Sequence, residues 1–394
     1  MLLQRHPQLL TLSIAQALYW SCSIIGIALT GLVGQQLAPW PVLATVPLTL
    51  LVAGNLLSIG PLARWMQRHG RARGLQGGAL LGVAAGLLAA WAVVQASFGL
   101  FCLAMLLLGG YQASAGFYRF TALDGMPAEH SGRAAAWVLA GGMAAALLAP
   151  SLAIHTAGAL ATPLAGAYLA IAVLALLACA LLQCLPPRLH LPMQAKAAGQ
   201  PAISRRQLWQ RPALRQAIVL SACGHGLMVL VMNATPLAMH GAGHSLASST
   251  QVIQWHVLGM FAPSLFAGRA VDRFGARRLA WLGAALLAAS AGVALIGTEF
   301  VPFLLSSLLL GAGWNLMILA GTSLLNQACS PEERPQAQPM MEWSNNGSAA
   351  LMSLSCGVLI QTLGWQAVNV AMLLTLALLA WQGSRSAWAA RARA

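Results

Sequence analysis

Four side chains on two neighbouring apolar segments are the ones best suited to chemistry in this sequence. Met228 and Met232 lie in the run His225-Gly-Leu-Met228-Val-Leu-Val-Met232-Asn233-Ala-Thr-Pro236. His256 and Met260 lie in Gln254-Trp255-His256-Val-Leu-Gly-Met260. Residues four apart share one helical face. If the two runs cross a bilayer in opposite senses, Met232 and His256 sit about 10 Å below the outer rim, and Met228 and Met260 about 16 Å, at 1.5 Å rise per residue. Three thioethers and an imidazole at matching depth are a donor set for a soft cation, copper above all. Methionine is also a common gap-filler in apolar helices. Spacing alone therefore leaves a metal site and plain packing as equal readings, although His256 is costly to leave unpaired in lipid.

Secondary candidates flank these four. Met239, His240 and His244 mark the outer rim, either as collectors of copper before entry or as ordinary interfacial residues. His225 extends the methionine stripe one turn inward, either as an exit ligand or as a hydrogen-bonded core histidine. Glu342 is the one acidic residue placed well inside an apolar run, as a proton carrier, as a group facing cytoplasmic water or as the partner of an arginine. Arg119 and Asp124 are expected to pair with each other. Asn233, Asn315, Asn345 and Asn346 are expected to line a cavity or cross-link helices. Cys223 is read as a transient ligand or an inert buried thiol. Trp40 and Trp365 near the outer boundary, with Trp65 and Trp209 near the inner one, fit aromatic belts.

The elements that must position these residues follow from composition. The chain has 394 residues, 59% of them apolar or aromatic and 7% charged, with a mean hydropathy of +0.73. A soluble domain carries about 25% charged residues, so a soluble enzyme and a disordered chain are both excluded. Apolar runs cover approximately 9–33, 41–62, 74–95, 97–121, 132–156, 160–185, 214–239, 249–268, 279–298, 302–328, 339–362 and 365–384. Each approaches the roughly 20 residues that span a bilayer. The net charge of +14 speaks to topology rather than to nucleic acid. With twelve spans, all 21 lysines and arginines fall on the side of the two termini, which the positive-inside rule makes cytoplasmic. The proline-rich, charged stretch 186–213 separates six runs from six. The expected architecture is an N-terminal six-helix bundle (1–185), a cytoplasmic linker (186–213) and a C-terminal six-helix bundle (214–394). Seven cysteines without a CxxC pair give no disulfide framework or zinc site. The absence of a nucleophile triad or a Walker-type phosphate loop argues against an enzyme and against ATP-driven transport.

A motif recurs across the two halves. Gly268-Arg-Ala-Val-Asp272-Arg273-Phe-Gly275-Ala-Arg277-Arg278 has a weaker counterpart in Ala63…Gln67-Arg68-His69-Gly70-Arg71-Ala72-Arg73, offset by 205 residues. This resembles the signature GxxxDRxGxRR of the major facilitator superfamily. The resemblance implies the major facilitator fold, alternating access, and a gating role for Gly268, Asp272, Arg273, Gly275, Arg277 and Arg278. Gln67 stands where the signature has Asp.

A closer resemblance joins Met228xxxMet232 and His256xxxMet260 to the CcoA-type copper importers, the CalT subfamily. The surrounding Tyr118-Arg119-Phe120, Gly313-Trp314-Asn315 and Pro331-Glu332-Glu333-Arg334 are similar too. That resemblance implies import of copper, as substrate and not as a resident cofactor, across a bacterial inner membrane. Met228, Met232, His256 and Met260 would bind the ion, and copper chaperones of cytochrome oxidase assembly would receive it from a monomeric carrier. Two other readings stay open. One is a proton-coupled carrier of a small organic solute or metal–siderophore chelate. The other is a membrane copper sensor or assembly partner that moves nothing.

Overall fold

The computed structural model describes residues 6–40, 43–127, 130–192 and 204–391. Arg5, Lys196 and Arg393, counted in the charge pattern, lie outside them. Each of the twelve expected runs is helical over most of its described residues. In chain order the helices are α1 (Pro7–Leu37), α2 (Val46–His69), α3 (Arg71–Val94), α4 (Phe98–Ala115), the single turn α5 (Tyr118–Thr121), α6 (Ser131–Ala157) and α7 (Ala165–Leu182). After a short linker helix α8 (Arg205–Gln210) come α9 (Pro212–Gly241), α10 (Leu246–Phe261), α11 (Ser264–Phe274), α12 (Ala276–Ala294), α13 (Phe300–Ala328), α14 (Arg334–Thr362) and α15 (Gly364–Arg391). Among the described residues, nine helices are long and apolar enough to cross a membrane. The exceptions among the predicted runs are the broken pair α10–α11, the arginine-capped α12, and α14, whose first turns are polar.

The break between α10 and α11 falls at Ala262-Pro263 and has a local cause. Proline has no N–H to donate to the preceding turn and its ring crowds that turn. Asn315 on α13 staples the gap, donating from Nδ2 to Met260 O and to Ser264 Oγ, each at 2.6 Å. In an apolar interior a freed carbonyl must find such a partner. Two glycines close the basic turns of the repeated motif. Gly70 (φ +96°) ends α2 and Gly275 (φ +86°) ends α11. That backbone strains any side chain and suits glycine, so the glycines of the motif have a structural reason.

Helices α1–α7 pack chiefly among themselves, and α9–α15 do the same. Small residues let backbones approach closely within each set: a Cβ on Gly54 or Gly109 would overlap the facing backbone of α4 or α2. The two sets meet where α2 lies on α14 and where α6 lies on α10, α11 and α13.

Trp40, Trp65 and Trp209, expected in aromatic belts, are exposed. Trp365 departs from that expectation. That ring is buried and donates from Nε1 to Ala294 O at 3.0 Å, so it stitches α15 to α12 rather than facing the interface.

Candidate functional site

The hydrogen bonds that join the two helix sets run from the membrane middle to the basic face. Asp272 Oδ2 accepts from Arg133 Nε at 2.6 Å, tying α11 to α6. Gly268 lies against the same helix, and a Cβ there would come within 2.7–2.8 Å of Ala136 Cβ and Arg133 Cα. Gly268 and Asp272 thus form one seam. Arg273, Arg277 and Arg278 stand exposed beside it. On the other seam Gln67 Nε2 donates to Pro335 O at 2.9 Å, and Arg71 donates to Gln338 Oε1 at 2.6 Å while pairing with Asp124 at 2.9 Å. The internal repeat maps Gln67 onto Asp272 and Gln338 onto Arg133, each pair 205 residues apart. The charged bridge of one seam therefore has a neutral counterpart in the other. A cavity of about 360 Å³ remains beside Gln67, bordered by Gly60, Arg64 and Arg205.

The expected Arg119–Asp124 pair does not form. The chain turns at Gly116-Phe117, and α5 directs Arg119 across to Glu342 on α14, where the two make a largely buried ion pair. Asp124 is taken by Arg71 instead. Glu342 is thus the partner of an arginine from the opposite helix set. Higher up, Trp343 Nε1 donates to Leu56 O at 3.1 Å.

Near the centre, an aromatic chain crosses from one set to the other. Phe261, at the end of α10, is fully buried and reaches α1 and α6. Its ring meets Trp20 edge-on at 5.1 Å between centroids, and a Cβ on Gly142 would come within 2.5 Å of it. Trp314 stands perpendicular to Phe261 at 6.2 Å, and the His225 ring follows at 6.1 Å. Trp314 Nε1–H donates to His225 Nδ1 at 2.8 Å. On the other side, Tyr19 meets Tyr111 edge-on at 5.5 Å. Trp20, Trp314 and His225 each lie in the middle third of their helix, so the chain is at mid-membrane depth. Trp20 and His225 are half-buried while Phe261 and Trp314 are buried. Edge-to-face pairs of this kind contribute about 0.5–1.5 kcal/mol each beyond their burial.

The residues expected to bind copper are arranged differently from the simplest expectation. Helices α9 and α10 touch lightly, and α13 packs against both. His256 is buried and turned onto α13, with Nδ1 2.9 Å from Ser307 O. A carbonyl can only accept, so Nδ1 carries the proton and Nε2 keeps its lone pair in the neutral ring. Nε2 is buried without a partner. Met228 and Met260 are buried and Met232 is half-buried. No three His, Cys, Asp or Glu side chains converge as a metal site among the described residues. At the rim, His240 is exposed, Met239 is fully buried, and His244 is tied to Thr298 O at 2.8 Å. Asn233 cross-links α9 to Ser353 of α14 at 2.9 Å. His225 is hydrogen-bonded to Trp314, one of the two roles expected of it.

Comparison with known proteins fits this architecture. The family model described as Major Facilitator Superfamily matches residues 11–254 and 242–391, and the chain belongs to that family. It is a multi-pass membrane transport protein, and transport rather than enzymatic turnover is its class. Among curated proteins it is similar to the "Riboflavin transporter RfnT" of Brucella anthropi, with 38% identity over 91% of this chain and 90% of that protein. It is also similar to the "Uncharacterized MFS-type transporter YddS" of Bacillus subtilis, at 29% identity over 79% of this chain and 75% of that protein. Among solved structures, the transporter FucP in the outward conformation superposes with a TM-score of 0.77, 13% identity and coverage of 95% and 98%. A bacterial homologue of the iron transporter ferroportin in the outward-facing state superposes at 0.71, with 17% identity and coverage of 96% and 99%. The last two likenesses concern the fold alone.

Proposed function

We propose that this protein is a secondary transporter that takes up a small planar organic solute of the riboflavin class across the bacterial inner membrane. The observation that carries the reading is its likeness to a riboflavin transporter over nine-tenths of both chains. The aromatic chain across the membrane middle supports it, because indole and phenyl faces suit a planar heteroaromatic ring. This replaces the sequence-based preference for copper with the organic-solute alternative.

In this reading residues 1–185 and 214–394 are two six-helix bundles joined by the linker 186–213. The chain spans the membrane twelve times, and its basic face and both termini are cytoplasmic. The seams at Asp272 and Gln67 then close the cytoplasmic side, and the conformation is outward-facing. Inward opening must part Arg133 from Asp272, Gln67 from Pro335 and Arg119 from Glu342 while the solute stays between the bundles. Uptake of labelled riboflavin by a riboflavin-requiring bacterium expressing the chain tests this. Saturable uptake that depends on expression supports the reading. Absence of uptake by chain verified in the membrane overturns it.

One observation favours copper as a second reading. His256 offers a buried, partnerless Nε2 lone pair with Met260 one turn along the same helix. Copper uptake that is lost in Met228→Leu/Met232→Leu and in His256→Ala would support it.

A further inference from the structure

Two histidines sit at mid-membrane depth with opposite tautomers imposed on them. His256 donates from Nδ1 to a carbonyl, and its free Nε2 is sealed in. His225 is the reverse case. An indole N–H can only donate, so the bond from Trp314 Nε1 makes His225 Nδ1 the acceptor. In the neutral ring the proton is then on Nε2. That atom finds no protein partner among the described residues, and it is not sealed in. The half-buried imidazole thus keeps one N–H free for a ligand acceptor. It lies at the end of the chain Trp20, Phe261, Trp314, whose rings step by 5.1 and 6.2 Å.

We infer that His225 is a fixed hydrogen-bond donor of the substrate site. The ligand it takes is a planar heteroaromatic with a hydrogen-bond acceptor, a carbonyl or ring nitrogen, on its edge. This deepens the flavin reading and rests on it. The acceptor bonds to His225 Nε2–H while the ring system extends toward the half-buried Trp20 end of the aromatic chain, which belongs to the other helix set. Trp314 is a positioning residue: its N–H selects the tautomer and fixes the plane of His225. A solute with a donor at that edge would meet donor against donor and be rejected. Because Trp20 and His225, the two half-buried ends of the chain, come from different helix sets, a ligand that reaches both reads their separation. It therefore binds differently in the outward and inward conformations.

The test uses the full chain purified in lipid nanodiscs, with riboflavin as the probe and quenching of flavin fluorescence as the readout. His225→Phe keeps an aromatic ring and removes the donor. It is expected to weaken binding about tenfold, the worth of one hydrogen bond in a half-buried site. His225→Gln supplies a side-chain N–H₂ and is expected to recover most of that loss. Trp314→Phe keeps the ring and removes the tautomer-fixing N–H. It is expected to weaken binding severalfold in the His225 protein and to have little effect in His225→Gln. That non-additivity marks action through His225, which loss of packing would not reproduce. If the intact protein binds no riboflavin, the flavin reading itself falls. If the intact protein binds riboflavin and folded, monodisperse His225→Phe binds it equally well, the site assignment is overturned while the substrate class stands. Equal losses from Trp314→Phe in both backgrounds would remove Trp314 from its positioning role.

Discussion

Replacing Asp272 with Asn should open the basic face more than truncating its repeat mate Gln67 to Ala. The bridge from Arg133 Nε to Asp272 Oδ2 is 2.6 Å long and joins side chains that are 36% and 12% exposed. Fully exposed pairs contribute about 0.2–1 kcal/mol, and breaking a buried pair costs about 3–5 kcal/mol. This partly exposed pair falls between, at about 1.5 kcal/mol, which is about tenfold in an equilibrium constant. The bond crosses between helix sets that must separate for inward opening, so the whole amount acts on the outward–inward equilibrium. Gln67 makes one neutral hydrogen bond to Pro335 O beside an open cavity. Gln67→Ala should shift the same equilibrium by about threefold. Spin labels at Arg73 and Arg277, both exposed on the basic ends of opposite helix sets, would report the populations as two distances. The effect of Asp272→Asn should shrink as salt is raised, because Arg133 is accessible to screening ions. Equal shifts from Asp272→Asn and Gln67→Ala, or no shift from Asp272→Asn, would refute the unequal-latch reasoning.

Three other outcomes are expected. Arg119→Leu alone leaves the Glu342 carboxylate buried without its partner and should lower thermal stability sharply, by about 3–5 kcal/mol, while Arg119→Leu/Glu342→Leu recovers much of that; thermal unfolding of the purified protein decides, and no recovery in the double variant counts against the pair. Gly109→Leu places a side chain where even a Cβ would overlap the α2 backbone, so the variant should fail to give monodisperse protein on size-exclusion chromatography, whereas Gly99→Ala, with open space around it, should behave as the parent. Met228→Leu/Met232→Leu conserves volume and should leave flavin uptake within about twofold; a collapse of uptake at equal membrane abundance would restore a ligand role to the thioethers.

The helices were largely legible because lipid demands long apolar runs and the basic residues alternate with them. The break at Pro263 is not legible in the sequence, since run length does not reveal that a proline has parted from the preceding turn and that Asn315 bridges the gap. The seam at Asp272 was legible as a motif, but its partner Arg133 was not, because it lies on a helix distant in sequence. Sequence proximity suggests pairing Arg119 with Asp124, and the turn at Gly116-Phe117 sends Arg119 elsewhere. Stripe periodicity pairs Met228 with Met232 and His256 with Met260 on common helix faces. It did not show that α13 packs on both helices and takes up the His256 Nδ1–H. The aromatic chain draws Trp20, His225, Phe261 and Trp314 from four helices, so no local spacing announces it. The available signal was tryptophan in mid-run, away from the interfacial belts.

The most direct test of the account is counterflow of labelled riboflavin into proteoliposomes that contain only this protein, with copper run in parallel. The account predicts accumulation of the flavin, loss of most of it in His225→Phe, and no protein-dependent movement of copper. Copper entry that requires Met228 and His256, with the flavin left outside, would contradict it.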